Sequence, residues 1–103
     1  MKILVSPAAK RDLVKIARYV AVNAEDETAG RVVLRGLMRK IGALGIFPNR
    51  GSSVAGRLGI VTEYRYLVWR KYLIFYVVAN DVVKVVRVAD GRTDWVGELF
   101  GGE

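Results

Sequence analysis

The second half of the chain contains three consecutive segments whose residues favour extended structure, and they restrict the possible folds more than any other feature. The segments read VTEYRYLVW, KYLIFYVV and DVVKVVRV, and the polar pairs Arg70-Lys71 and Asn80-Asp81 stand between them, where tight turns are needed. This pattern predicts an antiparallel meander. The second and third segments are apolar at nearly every position, so both faces are expected to be covered, or one face in the free chain and the other by a partner.

The first half of the chain has the periodicity of a short strand followed by two helices. Lys2 to Val5 favour a strand, and Ser6 and Pro7 suit the cap and the first position of a helix ending near Asn23. Acidic residues 25–27 suit the start of a second helix, which Gly45 and Pro48 close. Apolar residues at helical spacing form the core stripes: Leu13, Ile16, Ala17 and Val20, then Leu34, Leu37, Met38, Ile41 and Leu44.

The order of these elements, β-α-α-β-β-β, predicts an α+β fold in which an antiparallel helical hairpin packs on one face of an antiparallel sheet. The place of the N-terminal strand in that sheet stays open, because strand pairing cannot be read from local sequence. Residues 48–59 are rich in glycine and serine and are expected to be irregular. With 103 residues, the chain is expected to form one domain over residues 1–103.

Composition excludes several kinds of chemistry. The chain has no cysteine and no histidine, which removes disulfides, thiolate nucleophiles, Cys/His zinc sites and imidazole catalysis, and neither a metal nor a cofactor is expected. The formal net charge of +7 favours a polyanionic or acidic partner. No apolar run is long enough for a membrane span, so we expect a cytoplasmic protein without a membrane partner.

Four blocks of sequence, in order, carry a resemblance to the ParE/RelE toxin superfamily. SPAAKRDLVKIARYV resembles the opening S-P-x-A-x-x-D-L-x-x-I-x-x-Y-[IV] of ParE-type toxins, and FPNRG, EYRYLVWRKYLIFYVV and VVKVVRVADGRTDW resemble the later motifs of the family. Together they span residues 6–95. The matching residues of the opening are Ser6, Pro7, Ala9, Asp12, Leu13, Ile16, Tyr19 and Val20. The resemblance implies a RelE/ParE-like fold and the toxin half of a type II toxin-antitoxin system.

The superfamily includes two activities, and two features of the sequence bear on the choice between them. RelE-type ribosome-dependent messenger ribonucleases commonly carry an arginine after the first tyrosine of Y-R-x-x-Y and a tyrosine near the C-terminus. Here Leu73 follows Tyr72, and Trp95 and Phe100 lack a hydroxyl. Leucine cannot stabilise charge that develops on a phosphate. The resemblance to ParE therefore favours a non-enzymatic toxin that inhibits DNA gyrase by binding.

Two alternatives stay open. The first is a RelE-like endoribonuclease that uses other residues, namely Lys71, Arg65 and Arg92. The second is a nucleic-acid or scaffold-binding module that descends from a toxin.

Two groups of candidate binding residues follow. Charge and aromatic anchors favour contact with the target, and this set consists of Arg65, Arg87, Arg92 and Trp95, whereas Trp69 suits sheet packing equally well. Arg31, Arg35 and Arg39 recur every four residues on one face of the second helix, which suits an acidic partner. The resemblance implies that this partner is a cognate ParD-like antitoxin, through which the toxin would associate indirectly with operator DNA.

Overall fold

The computed structural model of the chain describes residues 1–59 and 62–100. Its elements are β1 (Lys2–Val5), α1 (Pro7–Ala24), α2 (Glu27–Ala43), β2 (Ser52–Ser53), α3 (Val54–Leu58), β3 (Arg65–Trp69), β4 (Tyr72–Ala79), β5 (Val82–Asp90) and α4 (Trp95–Phe100). The predicted α+β order is confirmed. None of the helices in these residues has the length and apolar character needed to cross a membrane.

The five strands form one mixed sheet with the order β1-β5-β4-β3-β2. β3, β4 and β5 form the predicted antiparallel meander, and Asn80 and Asp81 have positive φ angles of 53° and 62°, as a tight hairpin turn requires. β1 pairs in parallel with β5, so Lys2 lies opposite Val82 and Val5 opposite Val85. The sheet is therefore antiparallel except at this one edge.

The start of α1 is fixed to β5 by a single residue. The Ser6 side chain caps α1 by accepting a hydrogen bond from the Ala9 amide at 3.0 Å, and its hydroxyl donates to the Val86 carbonyl at 2.9 Å. The Ser6 amide also donates to the Val85 carbonyl at 2.9 Å. The Ser6-Pro7 pair thus starts the helix and holds it against the last strand.

Both faces of the sheet are covered within the chain. On one face the helical hairpin packs through Leu13, Leu37 and Ile41 against alternate strand residues that include Ile74 and Tyr76. On the other face α3 and α4 cover a second cluster made of Val54, Leu73, Phe75, Ala89 and Trp95. The apolar strands are explained by these two layers, and neither cluster needs a partner to bury it.

Residues 48–59 differ from the expectation. We expected an irregular segment, but Ser52–Ser53 pair with β3, and Ser53 caps the short helix α3 by accepting from the Gly56 amide at 3.3 Å. The serines that suggested a loop serve here as a short edge strand and a helix cap. Of the predicted strand VTEYRYLVW, Val61 lies outside the described residues, and the strand itself begins at Arg65.

Candidate functional site

A cleft of about 610 Å³ lies between α1, the adjoining ends of β4 and β5, and the residues that follow β5. We call it the α1–β5 cleft. Its polar lining residues are Asp12, Lys15, Tyr19, Lys71, Tyr72, Arg87, Asp90, Arg92, Thr93 and Glu98. Most of these side chains carry charge, which separates this surface from the two apolar clusters.

An ion pair between α1 and β5 closes one end of the cleft. The Asp12 carboxylate accepts hydrogen bonds from Arg87 Nε at 2.7 Å, from Arg87 Nη2 at 3.0 Å and from the Val88 amide at 2.9 Å. Glu98 of α4 lies 3.6 Å from Arg87 Nη2, and its carbonyl accepts from Arg87 Nη1 at 3.2 Å. The hydrogen bond to Asp12 raises the pKa of Arg87. Arg87 therefore joins α1, β5 and α4.

A second group of charges surrounds Asp90 at the end of β5. Arg92 donates to the Asp90 carboxylate from Nε at 3.1 Å and from Nη2 at 2.8 Å, and Lys71 Nζ lies 3.7 Å from the same carboxylate. The hydrogen bond from Arg92 lowers the pKa of Asp90 to about 2. This carboxylate contributes to stability in full above the ordinary carboxyl pKa, and the contribution is lost progressively as the pH falls from that value through about 2. The group is thus ionised throughout the physiological range.

Tyr72 forms the floor of the cleft. Burial raises the pKa of its hydroxyl, and the neighbouring Asp90 carboxylate raises it further. Its ring stacks on Trp69, with centroids 6.5 Å apart, and Arg70 lies 4.5 Å over the Trp69 ring. Trp69 is therefore a packing residue of the sheet that also supports Tyr72.

The four predicted target-binding residues do not form one site. Arg87 and Arg92 line the α1–β5 cleft, but Arg65 lies outside its lining and donates to the Asn49 and Gly51 carbonyls, which holds the segment after α2 against β3. Arg92 alone among the four has a side chain that is mostly exposed, at 71%.

The expectation that Trp95 is accessible is wrong. The residue is only 7% exposed and packs on Phe75, with ring centroids 5.1 Å apart, while the Arg57 guanidinium carbon lies 5.7 Å from the centroid of the Trp95 ring. A position after the last strand suggested an accessible chain end, but α4 folds back and inserts this ring into the second cluster. Trp95 is a core residue.

The three arginines of α2 are placed as the spacing predicts. Arg31, Arg35 and Arg39 are all exposed on the outer side of the hairpin. Arg31 lies 4.0 Å from Glu27, whereas Arg35 and Arg39 form no ion pair within residues 1–59 and 62–100. These three side chains, which we call the arginine face, are available to a partner.

Sequence reasoning missed the roles of Asp12, Lys15, Tyr19 and Tyr72 in the cleft. The role of Asp12 could have been suspected from the sequence. It is a carboxylate in the opening motif, and it lies four residues before Ile16, which places it beside the apolar stripe of α1. A charged residue at such a position needs a partner. The partner, Arg87, is 75 residues away, so the pair could not be read from the motif.

Comparison with known families identifies the chain. The family model described as the ParE toxin of the type II toxin-antitoxin system parDE matches residues 3–95. The chain belongs to the ParE toxin family. This confirms the resemblance that the motifs indicated and the prediction of a toxin of a type II toxin-antitoxin system.

A solved structure supports the ParE fold. The structure titled "Chromosomal ParDE TA system from P. aeruginosa" contains a chain with a TM-score of 0.74 and 15% sequence identity, covering 87% of this chain and 95% of that chain. Among curated proteins, no sequence matches the chain. In this ParE family member, the opening motif therefore has a structural role: Ser6 caps α1 on β5, and Asp12 anchors Arg87.

Proposed function

We propose that this ParE-family toxin inhibits DNA gyrase by binding rather than by catalysis, and that a ParD-like antitoxin neutralises it. The observation that carries the proposal is the environment of Leu73. This residue is 5% exposed and lies in the second apolar cluster with Phe75 and Trp95, beneath α3 and α4. Where a RelE-type ribonuclease presents an arginine to RNA, this chain has a packed apolar core.

The arrangement of the remaining cations also supports a binding function. The alternative of a RelE-like endoribonuclease would need Lys71, Arg65 and Arg92 to converge on one phosphate. Lys71 and Arg92 share Asp90 in the α1–β5 cleft, whereas Arg65 is engaged by backbone carbonyls outside it. Three cations placed in this way do not form a common phosphoryl-transfer site.

Arg92 is the residue we propose for contact with gyrase. Arg65 and Arg87 are held by contacts within the chain, and Trp95 is buried, so they position or stabilise the surface instead. Arg92 follows the last strand and extends into solvent with its guanidinium oriented by Asp90. Arginine anchors of this kind are enriched among residues that dominate interface energies.

Purified chain is expected to block gyrase supercoiling and to increase gyrase-linked DNA cleavage. Arg92→Ala should raise the concentration needed for half inhibition about tenfold, because truncating an interface anchor costs about 1–2 kcal/mol. Arg18→Ala, an exposed arginine of α1 outside the cleft lining, serves as the control and should change it less than about twofold.

Two results would contradict this assignment. Gyrase left untouched by micromolar parent chain would mean that the target is wrong. New breaks within translated messages, detected by primer extension in expressing cells, would support the endoribonuclease instead. An Arg92→Ala variant as inhibitory as the parent would remove only the assignment of Arg92.

The antitoxin is proposed to contact the arginine face. Arg35 and Arg39 carry charge without an ion pair in the described residues, and the exposed apolar side chains of Val32 and Met38 lie on the same helix. An acidic amphipathic segment matches this combination of charge and apolar surface. Association with operator DNA would then be indirect, through the antitoxin. We propose that the whole chain acts as one domain in the cytoplasm, where gyrase is found.

Reversing two charges on the arginine face is expected to weaken the antitoxin complex. Arg35→Glu with Arg39→Glu should raise the dissociation constant about thirtyfold at low salt, because each reversed charge meets an acidic partner. The measurement is titration calorimetry with the product of the adjacent reading frame. The matched control is Lys2→Glu with Lys84→Glu, two exposed lysines of β1 and β5. Equal weakening by both pairs would indicate net charge rather than a defined surface.

A further inference from the structure

The Tyr72 hydroxyl is a largely enclosed polar group of the α1–β5 cleft that has no hydrogen-bond partner in the described part of the chain. The residue is 4% exposed, and its hydroxyl forms no hydrogen bond within residues 1–59 and 62–100. That hydroxyl is not sealed in the interior, since it opens into the cleft near Asp90, Arg92 and Tyr19. Buried tyrosine hydroxyls usually find a partner. A donor held in this position is available to a ligand.

The charges around Tyr72 favour an anionic ligand. Arg87 is occupied by Asp12 and Glu98 at one end of the cleft. Among the residues that the structure describes, the other three cations lining the cleft, Lys15, Lys71 and Arg92, have a single carboxylate as ionic partner, that of Asp90. Asp90 binds two nitrogens of Arg92 and leaves Nη1 without a hydrogen bond in the described chain. The carboxylate thus orients the arginine while the local charge stays positive.

An exposed aromatic ring lies at the same cleft. Tyr19 of α1 is 63% exposed, so its ring is accessible to a ligand. Aromatic rings beside cationic side chains are the usual platform on which nucleic-acid bases stack. The cleft volume, about 610 Å³, lies within the range of sites that hold small organic ligands.

We propose that the α1–β5 cleft binds a nucleotide. Its phosphate accepts a hydrogen bond from the Tyr72 hydroxyl and is held by Arg92 and the two lysines, and its base stacks on Tyr19. The nucleotide is either free in solution or one unit of a nucleic-acid strand, since both present the same phosphate and base. No bond is made or broken. The site does not depend on gyrase as the target, so each proposal is tested separately.

The test is titration of the purified chain with adenosine monophosphate and with a single-stranded tetranucleotide, followed by calorimetry and by the intrinsic fluorescence of its two tryptophans. At least one of the two should bind at submillimolar concentration. Tyr72→Phe should weaken binding about tenfold, because a hydrogen bond to a charged group is lost. The thermal unfolding midpoint should stay unchanged, because this hydroxyl has no partner in the described chain.

A matched pair of lysine variants separates a defined site from general charge attraction. Lys15→Gln should weaken binding several-fold, whereas Lys10→Gln, on the same helix but outside the cleft lining, should change it less than twofold. Tyr19→Ala, which removes an exposed ring, should weaken binding about fivefold and provides a second variant if Tyr72→Phe fails to fold.

If adenosine monophosphate binds, the ligand of the cleft is a free nucleotide. If only the tetranucleotide binds, the ligand is a unit of a nucleic-acid strand. Both outcomes support the proposed site. Four outcomes would overturn it. These are no binding of either probe at millimolar concentration, unchanged binding by a folded Tyr72→Phe variant, equal weakening by the two lysine variants, and tighter binding of a hexaglutamate peptide with the same dependence on Tyr72. The last result would reassign the cleft to an acidic peptide.

Discussion

Replacing Asp12 by alanine is expected to destabilise the folded chain by about 3–5 kcal/mol, the range measured when one partner of a buried ion pair is removed. The carboxylate accepts two hydrogen bonds from Arg87 and one from the Val88 amide, and the side chain is nearly buried. Without it, Arg87 is left beneath α1 and α4, and Glu98 is its one remaining ionic partner among residues 1–59 and 62–100. Urea denaturation followed by circular dichroism measures the change in the free energy of unfolding.

Asp90→Ala is the matched control for Asp12→Ala. It also removes a carboxylate that accepts from an arginine side chain and from a backbone amide, but Arg92 is largely exposed, so the cost should be smaller, at about 1–2 kcal/mol. If Asp12→Ala costs no more than Asp90→Ala, the pair between Asp12 and Arg87 does not stabilise the fold. Both variants remove a carboxylate from a pair with an arginine, and the two pairs differ in how far the arginine is exposed to solvent.

Replacing Trp95 by alanine is expected to cost about 3–5 kcal/mol, as for other buried aromatic residues. The ring fills the second cluster against Phe75, and its loss leaves a cavity between the sheet and α4. The same denaturation experiment measures the loss. Phe47→Ala, which truncates an exposed aromatic residue after α2, should cost less than about 1 kcal/mol. An equally stable Trp95→Ala variant would mean that α4 does not pack as described.

This result affects how growth-arrest experiments are interpreted. A Trp95 variant that no longer arrests growth would be explained by a smaller folded population, because a small domain has only about 5–15 kcal/mol of stability in total. Arg92→Ala leaves the second cluster intact, since its side chain is exposed and pairs with Asp90. Contact with the target is therefore tested on Arg92 alone.

Most of the fold could be predicted from the sequence because its signals are local. Ser6 and Pro7 mark the start of α1, and the periodic apolar residues mark both helices. Asn80 and Asp81 adopt the left-handed conformation of a tight turn, as the residue types predict. Each of these features depends on residues that are close together in the sequence. The sequence motifs of residues 6–95, taken in order, were enough to indicate the ParE family.

The sites depended on contacts between residues far apart in the chain. The sequence by itself determined the family and the six main elements in their order, since propensity, capping and periodicity act over a few residues, whereas β2, α3 and α4 were not predicted. Only the tertiary structure decided that β1 lies parallel beside β5, that α4 buries Trp95, and that Asp12 meets Arg87 across 75 residues. The α1–β5 cleft follows from the same contacts, because the packing of α1 on β5 brings together side chains that lie far apart in the sequence. Their local sequence does not predict that they meet.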